Sequence, residues 1–594
     1  MKSGIRIKFF FVVFLVIINL ANLYAQTGTS DEAVRELERR RYETEKRLHE
    51  KEMLEIEKSK KEKEEEKEAQ KKEDGTEPVR DETRFYISKI TIENSDLLSA
   101  GEIAALINPF QGKEISLNDI TNLVGNITNK LVEKGYITAR VKVPLDQNLK
   151  SGVLVLTVVK GYIGSIKPEK ESLSTRIQVF TAFPFLEGEL LNIEDLDYGI
   201  EQMNKLGSNN ATMKVIPGSE LGFSDIVIYN QQGNWLSLDI GVDNLGQKTT
   251  GVNRGKVSAG FDNLLNINDN IYANYTATLN SDTDRKYNRS ASFQIAFPLG
   301  YWSFSSTYSY TEYMQYVQGL NTEFKSSGSD ASMIFGADRM LGRIGYNRFK
   351  ARTSLALKDK KNYIEDAIID VSSRKLTVAK IGLEYTTFIY GGYFLFDAYY
   401  NRGLELLGAF KDEGDMDADT PRAQFNKCDM SLLWNKTFQF MGQNLGYLFN
   451  FVGQWGIETL YSSEKISIGD LNTVRGFKNG SISGDRGFYI RNDFSVFDFS
   501  RFQENLRGLK LFAGYDYGYA IERCGLDENS GTGEGSVMGW AAGLSYSAGI
   551  ANMSISYARQ LFSSWFVNEE DYVVYFAASI SLTGLYDEGL KAFQ

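Results

Sequence analysis

Residues 302–311 read WSFSSTYSYT, and two kinds of side chain alternate along them. The even positions carry Trp, Phe, Ser, Tyr and Tyr, whereas the odd positions carry only serine and threonine. Side chains of a strand point alternately to opposite faces, so the stretch predicts a β-strand with one aromatic and one small hydroxylated face. A soluble sandwich also alternates, but an aromatic face opposite small hydroxyls is the inverse of a packed barrel core. The pattern favours lipid outside and water inside.

The same alternation continues through residues 234–594, where helical periodicity disappears. In 447–456, for example, Tyr447, Phe449, Phe451 and Trp455 share one parity. Backbone polar groups within lipid have no water to bond, so such a sheet must close on itself. At about 10 residues per spanning strand, the segment accommodates roughly 16 strands, with 14 and 18 as neighbouring solutions. We therefore predict a mainly β protein with a transmembrane antiparallel barrel at 234–594.

Composition excludes several classes of protein. The chain has 594 residues, 66 Lys+Arg against 77 Asp+Glu, and a net charge of −11, which argues against nucleic acid as a partner. Eight prolines and two cysteines exclude collagen-like and disulfide-dense proteins. After residue 20 there is no apolar run of the ~18 residues that a spanning helix needs, so a membrane span must be built from strands.

Catalytic and metal-binding patterns are missing from the sequence. His49, the one histidine, lies in a run of charges, so neither a Ser-His-Asp triad nor a His-rich metal site is expected. There is no nucleophile elbow, zinc-protease motif, phosphate-binding loop or C-x-x-C pair. We predict no catalytic residues, no cofactor and no metal, which leaves transport, binding or assembly.

The amino terminus predicts export from the cytoplasm. Residues 1–25 combine a basic start, an apolar run from Phe9 to Leu20 and a small residue, Ala25, before the expected cleavage site. This is the pattern of a secretory signal peptide. In an oxidising compartment Cys428 and Cys524 could pair or stay as separate loop thiols, and their spacing favours neither.

A charged segment follows the signal peptide. In residues 31–74, 31 of 44 positions are charged, 14 of them Lys or Arg and 17 Asp or Glu. Sparse apolar residues in its first half predict a helix over 26–56. The second half has almost no apolar residues, which predicts a charged linker over 57–83. The helix is either a plug-like element or a solvated helix with no task.

Two α/β modules of similar length follow, at 84–161 and 162–233. In the first, a strand at 85–92 precedes a capping box at Ser116–Asp119, a helix closed by Gly135, and strands at 137–143 and 153–159. The second repeats that order, with Asn192 as the cap of its longer helix. The repetition predicts two tandem copies of one fold.

One segment of the barrel region departs from alternation. Residues 469–478 read GDLNTVRGFK and join two strand-like stretches. A loop in water has no need for the apolar pair in Val474-Arg475-Gly476-Phe477. A loop folded into the barrel could pack Val474 and Phe477 and pair Arg475.

A candidate partner for Arg475 lies in residues 512–519, FAGYDYGY. Its three tyrosines share one parity and would face lipid, so Gly514, Asp516 and Gly518 would face inward. That arrangement leaves a groove beside a carboxylate into which a guanidinium could reach for bidentate pairing. Alternatively, the two are an exposed loop arginine and a wall aspartate that never meet.

These motifs resemble two-partner secretion transporters, the outer-membrane partners that export haemolysins and filamentous adhesins. The resemblance rests on Thr473–Phe477 followed by Ser483–Asp493, on Asp243–Gly246, and on Gly135–Val141 in the first module. It covers nearly the whole mature chain, in the order helix, linker, two POTRA modules, barrel. The superfamily also includes the barrel-assembly insertase.

The resemblance implies a sixteen-stranded barrel in a Gram-negative outer membrane, POTRA modules in the periplasm, and Arg475 anchored to Asp516 inside the barrel. Residues 26–56 would plug the pore. Implied partners are an unfolded secreted exoprotein (a TpsA-like adhesin or haemolysin), outer-membrane lipid and the barrel-assembly machinery. A tail at 583–594 follows the last strand-like stretch, which leaves the targeting signal open.

Two other functions fit parts of the sequence. An assembly or insertion factor of the same superfamily would share the modules and the barrel. A general porin or ligand-gated uptake channel would share only the barrel, and the POTRA-like repeats argue against it. A large β-helical exoprotein encoded beside this chain would favour secretion.

Overall fold

The computed structural model describes Glu43 and residues 84–279, 282–522, 533–565, 567 and 570–582. Glu43 is helical. The signal peptide 1–25, the rest of the helix 26–56, the linker 57–83, the tail 583–594 and Cys524 lie outside the described residues, so those interpretations stay predictions. The chain divides into two compact units, Tyr42–Gly233 with Asn266–Asn268, and the remainder.

The first α/β module packs one long helix on a small sheet. Its elements are β1 Arg84–Ile87, β2 Lys89–Glu93, α1 Ala100–Ile107, β3 Lys113–Ser116, α2 Leu117–Glu133, β4 Arg140–Lys142, a 3₁₀ turn Leu149–Ser151, and β5 Val153–Val159. The sheet order is β2-β5-β4, and β1 pairs separately with β3. Leu123, Ile127 and Leu131 are buried on one face of α2. They pack with Leu154 and Leu156 of β5 in one apolar core.

Local signals set the ends of α2. The Ser116 hydroxyl accepts from the Asp119 N–H, and the Asp119 carboxylate accepts from the Ser116 N–H at 2.8 Å, so the predicted capping box is confirmed. Gly135 follows the helix at φ +91°, a conformation that suits glycine. A single strand at 85–92 is wrong, because the chain turns at Ser88, whose N–H and hydroxyl bond the Gly152 carbonyl. The strand at 137–143 is shorter than expected.

The second module repeats the arrangement. It contains β6 Tyr162–Pro168, α3 Leu173–Ala182, α4 Ile193–Asn204, β7 Asn209–Pro217 and β8 Phe223–Gln232. In each module a central strand, β5 or β8, has a parallel neighbour on one side and an antiparallel one on the other. The Asn192 side chain accepts from the Glu194 N–H and caps α4 as predicted.

The remaining strands form a closed antiparallel barrel. Its sixteen wall strands are β9 Leu236–Asp243, β10 Arg254–Asp262, β11 Asn270–Thr278, β12 Tyr287–Leu299, β13 Trp302–Gln318, β14 Glu323–Ile344, β15 Asn347–Ile364, β17 Arg374–Ile389, β18 Gly392–Leu404, β19 Asn426–Phe440, β20 Gln443–Gly456, β23 Arg486–Phe497, β24 Leu509–Ile521, β25 Glu534–Ala548, β26 Ala551–Ser563 and β27 Val573–Ser581. Short pieces β16 Ala367–Ile368, β21 Ile466–Ile468, β22 Ile482–Gly484 and a 3₁₀ turn Glu504–Leu506 lie between them. The predicted barrel of about sixteen strands is confirmed.

The barrel closes where its last strand meets its first. β27 and β9 pair through five residues, from Ala577↔Asp243 to Ser581↔Asp239. Within the described chain, every other pair of neighbouring wall strands shares at least eight residues, as β9 does with β10. The closure seam is therefore the least extensively bonded joint of the wall.

The two faces of β13 separate as the alternation indicates. Ser309 and Thr311 on the inner face are 1 % exposed, whereas Tyr308 on the outer face is 46 % exposed. The hydroxyl side chains are buried among inner-wall side chains instead of lining open water. Thr311, for example, lies 3.2 Å from the Ser290 hydroxyl across the strand pair.

Candidate functional site: the inward loop

Residues 457–485, which join β20 to β23, lie inside the barrel. They contact side chains of β15 and β19 at one end and of β23 and β24 at the other. A segment that reaches the buried faces of strands on opposite sides of a closed barrel must run through its interior. We call this segment the inward loop.

A tight polar turn shapes the loop before its tip. The Asp470 carboxylate accepts from the Asn472 and Thr473 N–H groups, both at 2.7 Å. The Thr473 hydroxyl in turn accepts from the Gly469 N–H at 2.9 Å. Aspartate and threonine favour such local turns, because their short side chains reach neighbouring backbone amides. The turn fixes the direction in which the next residues leave.

Arg475 is the largest fully buried side chain of the described chain, at 2 % exposure. Its Nε and Nη2 donate to the two carboxylate oxygens of Asp516, both at 2.7 Å. Its backbone N–H also donates to Asp516 Oδ2, at 3.0 Å. Nη1 lies 2.6 Å from Asp493 Oδ1 on β23. One arginine thus joins the loop to two adjacent wall strands.

Burial decides the energetics of this contact. Asp516 is 0 % exposed, so water cannot solvate either charge when the pair is broken. Removing one partner of a buried, hydrogen-bonded ion pair typically costs about 3–5 kcal/mol, because the other charge is left unpaired. Arg475 is thus both a strong anchor and one that the loop cannot release without substitute contacts.

Three wall glycines make room for the tip. A β-carbon on Gly514 would overlap Arg475 Nη2, and one on Gly539 would overlap the Arg475 carbonyl oxygen. One on Gly518 would press on Ile468 and Val474. Gly514 and Gly518 therefore lie on the same inner face as Asp516, beneath the guanidinium and the apolar part of the tip.

The apolar residues of the tip form a small core inside the barrel. Val474 and Phe477 are 0 % exposed. They belong to one cluster with Ile466, Ile468 and Ile482 of the loop, Ala520 and Val537 of the wall, and Val567 of the connection between β26 and β27. Between them Gly476 has φ +99°, and a β-carbon there would meet the Arg559 backbone. The tip is held by apolar packing as well as by charge.

A second charged anchor holds the root of the loop. Glu464 is 3 % exposed. Its carboxylate lies 2.6 Å from Lys358 Nζ on β15 and 3.3 Å from Lys427 Nζ on β19. Its carbonyl oxygen accepts from Lys427 Nζ at 3.0 Å and from Gln454 Nε2 at 2.9 Å. The loop is therefore fixed at two separate places on the wall, by β15 and β19 at its root and by β23 and β24 at its tip.

Beyond the tip, the loop reaches the closure seam. The Lys478 N–H donates to Glu570 Oε2 at 2.6 Å, and Lys478 Nζ donates to the Asn244 carbonyl oxygen at 2.5 Å. Asn244 follows β9, and Glu570 precedes β27. The Asn244 side chain also bonds the Phe576 N–H at 2.8 Å. The loop thus touches both sides of the seam.

Comparison with known proteins places this architecture in a family. The model of the family described as haemolysin secretion/activation protein ShlB/FhaC/HecB matches residues 222–546. An ShlB-type POTRA domain matches 85–161, and a further POTRA domain matches 162–217. This chain belongs to the haemolysin secretion/activation protein family.

Relatives of this transporter share most of its length. The outer membrane transporter CdiB of Dickeya dadantii (strain 3937) is 31 % identical over 69 % of this chain and 72 % of its own. The hemolysin transporter protein ShlB of Serratia marcescens is 29 % identical over 79 % of this chain and 81 % of its own. The solved structure of CdiB from Escherichia coli superposes with a TM-score of 0.76 at 26 % identity, covering 85 % of this chain and 92 % of that one.

Family membership gives the transporter its location. It is an outer-membrane protein whose POTRA modules lie in the periplasm. β9 begins at Leu236, four residues after β8 ends at Gln232, so the barrel end at which β9 starts is the periplasmic one. Wall strands then alternate in direction.

Sequence reasoning missed several residues of the loop site in this transporter. Asp493 lies at the end of the Ser483–Asp493 run that carries the resemblance, and alternation along β23 is the signal that would place it on the inner face beside Arg475. Gly539 faces inward by the same parity rule along β25. Glu464 gave no signal, because its two lysine partners are more than 30 positions away and only the folded wall brings them together.

Three further findings concern metal binding, membrane-spanning helices and one cysteine of the described residues. Over residues 84–582, with the gaps given above, no group of three or more His, Cys, Asp or Glu side chains could hold a metal ion. No helix in the described part of the chain is long and apolar enough to cross a membrane. Cys428 is exposed on β19 as a free thiol.

Proposed function

We propose that this transporter binds an unfolded exoprotein in the periplasm through its POTRA modules and exports it through the barrel lumen. The client is a secreted adhesin or haemolysin, and the transporter performs no catalysis. The observation that supports this proposal best is the inward loop, a polar and apolar plug-like segment held inside a sixteen-stranded barrel by discrete contacts. Folding of the client outside the cell supplies directionality.

An edge strand of the second module offers a place for the client. In the sheet β6-β8-β7, β7 is an edge of nine residues, whereas the edge β4 of the first module has three. An extended segment can add to such an edge through main-chain hydrogen bonds, which reads backbone more than side chains. This suits an unfolded client, and we propose β7 as the strand that accepts it.

The client must displace or bypass the inward loop. A ligand shifts a conformational equilibrium only if it binds the two states with different affinity. We propose that the client, engaged on the modules and entering the lumen, favours the state in which the Arg475–Asp516 contact is broken. Arg475 and Asp516 would then set the equilibrium between the resting and the conducting barrel. Val474, Gly476 and Phe477 would pack the loop tip against the inner wall in the resting state.

Secretion of a large β-helical exoprotein co-expressed with this chain tests the proposal. Both proteins are expressed in a Gram-negative host, and the client is quantified in the medium and in the periplasm. Arg475→Ala should leave a folded barrel, shown by heat-modifiable migration in gels, but lower the client in the medium by at least about tenfold, because without the arginine the loop cannot return to its bound position, from which the client-driven transition starts. Arg507→Ala, an exposed arginine paired only with exposed Glu504, should export normally.

The outcomes separate the role of the loop from the function itself. Normal export by Arg475→Ala would refute the role of the loop while leaving the transporter assignment intact. A wild-type chain that leaves the client in the periplasm would refute the export function. A photo-crosslinker at the exposed Lys214 of β7 should capture the client, and one at exposed Lys170 should not.

The short closure seam favours a second candidate, an assembly or insertion factor of the same superfamily. Such a factor would need the barrel to open sideways, and the five-residue joint between β27 and β9 is where it would open.

A further inference from the structure

A groove crosses the outer face of the barrel from β12 to β18. It encloses about 800 Å³, and most of the surface that it exposes is apolar. All of its outward side chains belong to the face that carries exposed Tyr308 and Phe335, which is the lipid face. It is separate from the inward loop and plays no part in the proposed function.

Small residues create the groove. Register places Ala337 opposite Phe304 and Thr353, and Thr353 opposite Ile381, so two short side chains lie side by side in the middle of one row. The next row carries Phe335 and Leu355, which stand above them as a wall. The result is a trough of small side chains bordered by large ones.

The two ends of the groove differ in chemistry. Phe297 and Phe304 lie at one end, near the periplasmic turn between β12 and β13. Tyr400 and Arg402 lie at the other, near the end of β18, which runs from the periplasmic side outward. The groove therefore runs obliquely across the bilayer and ends on a cation toward the outer surface.

Arg402 is exposed on the lipid face of β18, opposite Ala379 of β17. A charged side chain on the lipid face is tolerated near the membrane surface and costly at its centre. Lys375, four residues from Ala379 and on the same face of β17, is exposed as well, with Asp359 opposite it. Arg402 is thus the cation at the outer end of the groove, and the Lys375–Asp359 pair lies beyond its lining.

We propose that this groove binds the phosphorylated glycolipid of the outer leaflet. One acyl chain would lie along Ala337 and Thr353, and a sugar phosphate would accept hydrogen bonds from the Arg402 guanidinium, whose planar fork matches phosphate oxygens. Because Arg402 is a cation, the groove should prefer a lipid with an anionic head group. Because Arg402 lies near the outer end of β18, that lipid should belong to the outer leaflet. Tyr400 would contact the boundary between chain and head group, where its ring and hydroxyl suit both.

Native mass spectrometry of the full chain, purified from outer membranes in mild detergent, tests the proposal through the lipid that stays bound. Wild type should retain the glycolipid. Arg402→Gln removes the cation, and Ala337→Phe fills the trough. Arg402→Gln should lower the retained fraction by about tenfold, the loss expected for one charge-assisted contact. Ala337→Phe should lower it by a similar factor, because the added ring occupies the space of the acyl chain.

Two matched variants serve as controls. Arg559→Gln removes an exposed outward arginine on β26, away from the groove, and Ala398→Phe enlarges an outward alanine of β18 that does not line it. Both should retain the glycolipid as wild type does. Equal retention by Arg402→Gln or Ala337→Phe, or retention of a glycerophospholipid in place of the glycolipid, would overturn the proposal. Secretion assays do not enter this test, so its failure leaves the export function untouched.

Discussion

Gly539 lies directly against the Arg475 carbonyl oxygen, on a wall strand next to the one that carries Asp516. Any β-carbon at this position would overlap the loop backbone, whereas the nearest wall atom, the Arg559 carbonyl oxygen, would lie 3.3 Å from it. A substitution at Gly539 should therefore displace the loop and leave the barrel folded. Gly514 is different, because an added β-carbon there would overlap the Asn492 carbonyl oxygen of the wall as well as the guanidinium.

We expect Gly539→Ala to displace the tip of the inward loop while the barrel stays closed. Trypsin should then cleave after Arg475 in intact barrels, and export should fall as it does for Arg475→Ala. Gly342→Ala, on β14, adds a methyl group where nothing lies within 4 Å and should leave both readouts unchanged. Full protease protection of Gly539→Ala would show that the loop accommodates the added atom.

The root of the loop gives a second prediction at this scale. Glu464→Gln leaves Lys358 and Lys427 without their shared carboxylate, so the free energy of unfolding should fall by about 3–5 kcal/mol. Tryptophan fluorescence during urea unfolding from detergent micelles measures it. Glu405→Gln breaks only an exposed pair with Lys411 and should change stability by less than about 1 kcal/mol. Equal effects of the two changes would contradict a buried anchor.

At the scale of single elements, helix caps in the first module set a response to acid. The Glu102 carboxylate accepts from the Ser99 N–H at 2.8 Å and from Lys134 Nζ at 3.0 Å. These contacts, with the Ser99 bond the largest, lower the pKa of Glu102 from 4.5 to about 2. Because the folded pKa is the lower one, the cap stabilises α1 above pH 4.5, and that contribution disappears as the pH falls toward 2.

Amide hydrogen exchange on the full chain should show this response. After correction for the intrinsic rate, the protection of α1 should drop between pH 4.5 and 2 in the wild type. Glu102→Gln should have lower protection at neutral pH and no drop in that window. Glu114→Gln, an exposed side chain on β3, should keep the wild-type response. A drop that persists in Glu102→Gln would assign it to another group.

Local signals of this kind explain how much of the fold the sequence predicts. Capping at Ser116 and Asn192 and alternation along β13 depend on neighbouring residues, so the elements they mark are found where expected. The break at Ser88 depends on the Gly152 carbonyl, which is distant in sequence, and no local pattern reveals it. The same reasoning covers the loop site. Parity along β24 suggests Asp516 as a partner for Arg475, whereas Glu464 and its lysines need the whole wall to meet.

At the scale of the whole molecule, the closure seam decides between export through the lumen and opening through the wall. Val242 on β9 and Ala578 on β27 are directly opposite each other. Paired residues of an antiparallel ladder have Cα atoms about 4.5–5.5 Å apart, which is within the range of a disulfide. A cysteine pair can therefore lock the seam without altering the lumen.

We expect the locked seam to leave export close to that of wild type, because the client passes through the lumen. The experiment combines Val242→Cys and Ala578→Cys in a chain whose Cys428 and Cys524 are serine, and compares oxidised with reduced cells. Ala398→Cys with Met430→Cys, opposite each other on β18 and β19, provides the control lock. Export that stops only when the seam is locked would favour the assembly factor over the transporter.

Asp516 has a consequence for how the loop can be detached. Two of its three bonds come from the Arg475 side chain, but the third comes from the peptide nitrogen of that residue, which every substitution except proline retains. Substitution of Arg475 and substitution of Asp516 should therefore detach the loop to different extents. Truncation of the Arg475 side chain keeps the hydrogen bond from its backbone N–H to Asp516, whereas Asp516→Ala removes the acceptor of all three bonds. A screen for variants whose pore stays open should therefore recover substitutions of the barrel wall more often than substitutions of the inward loop.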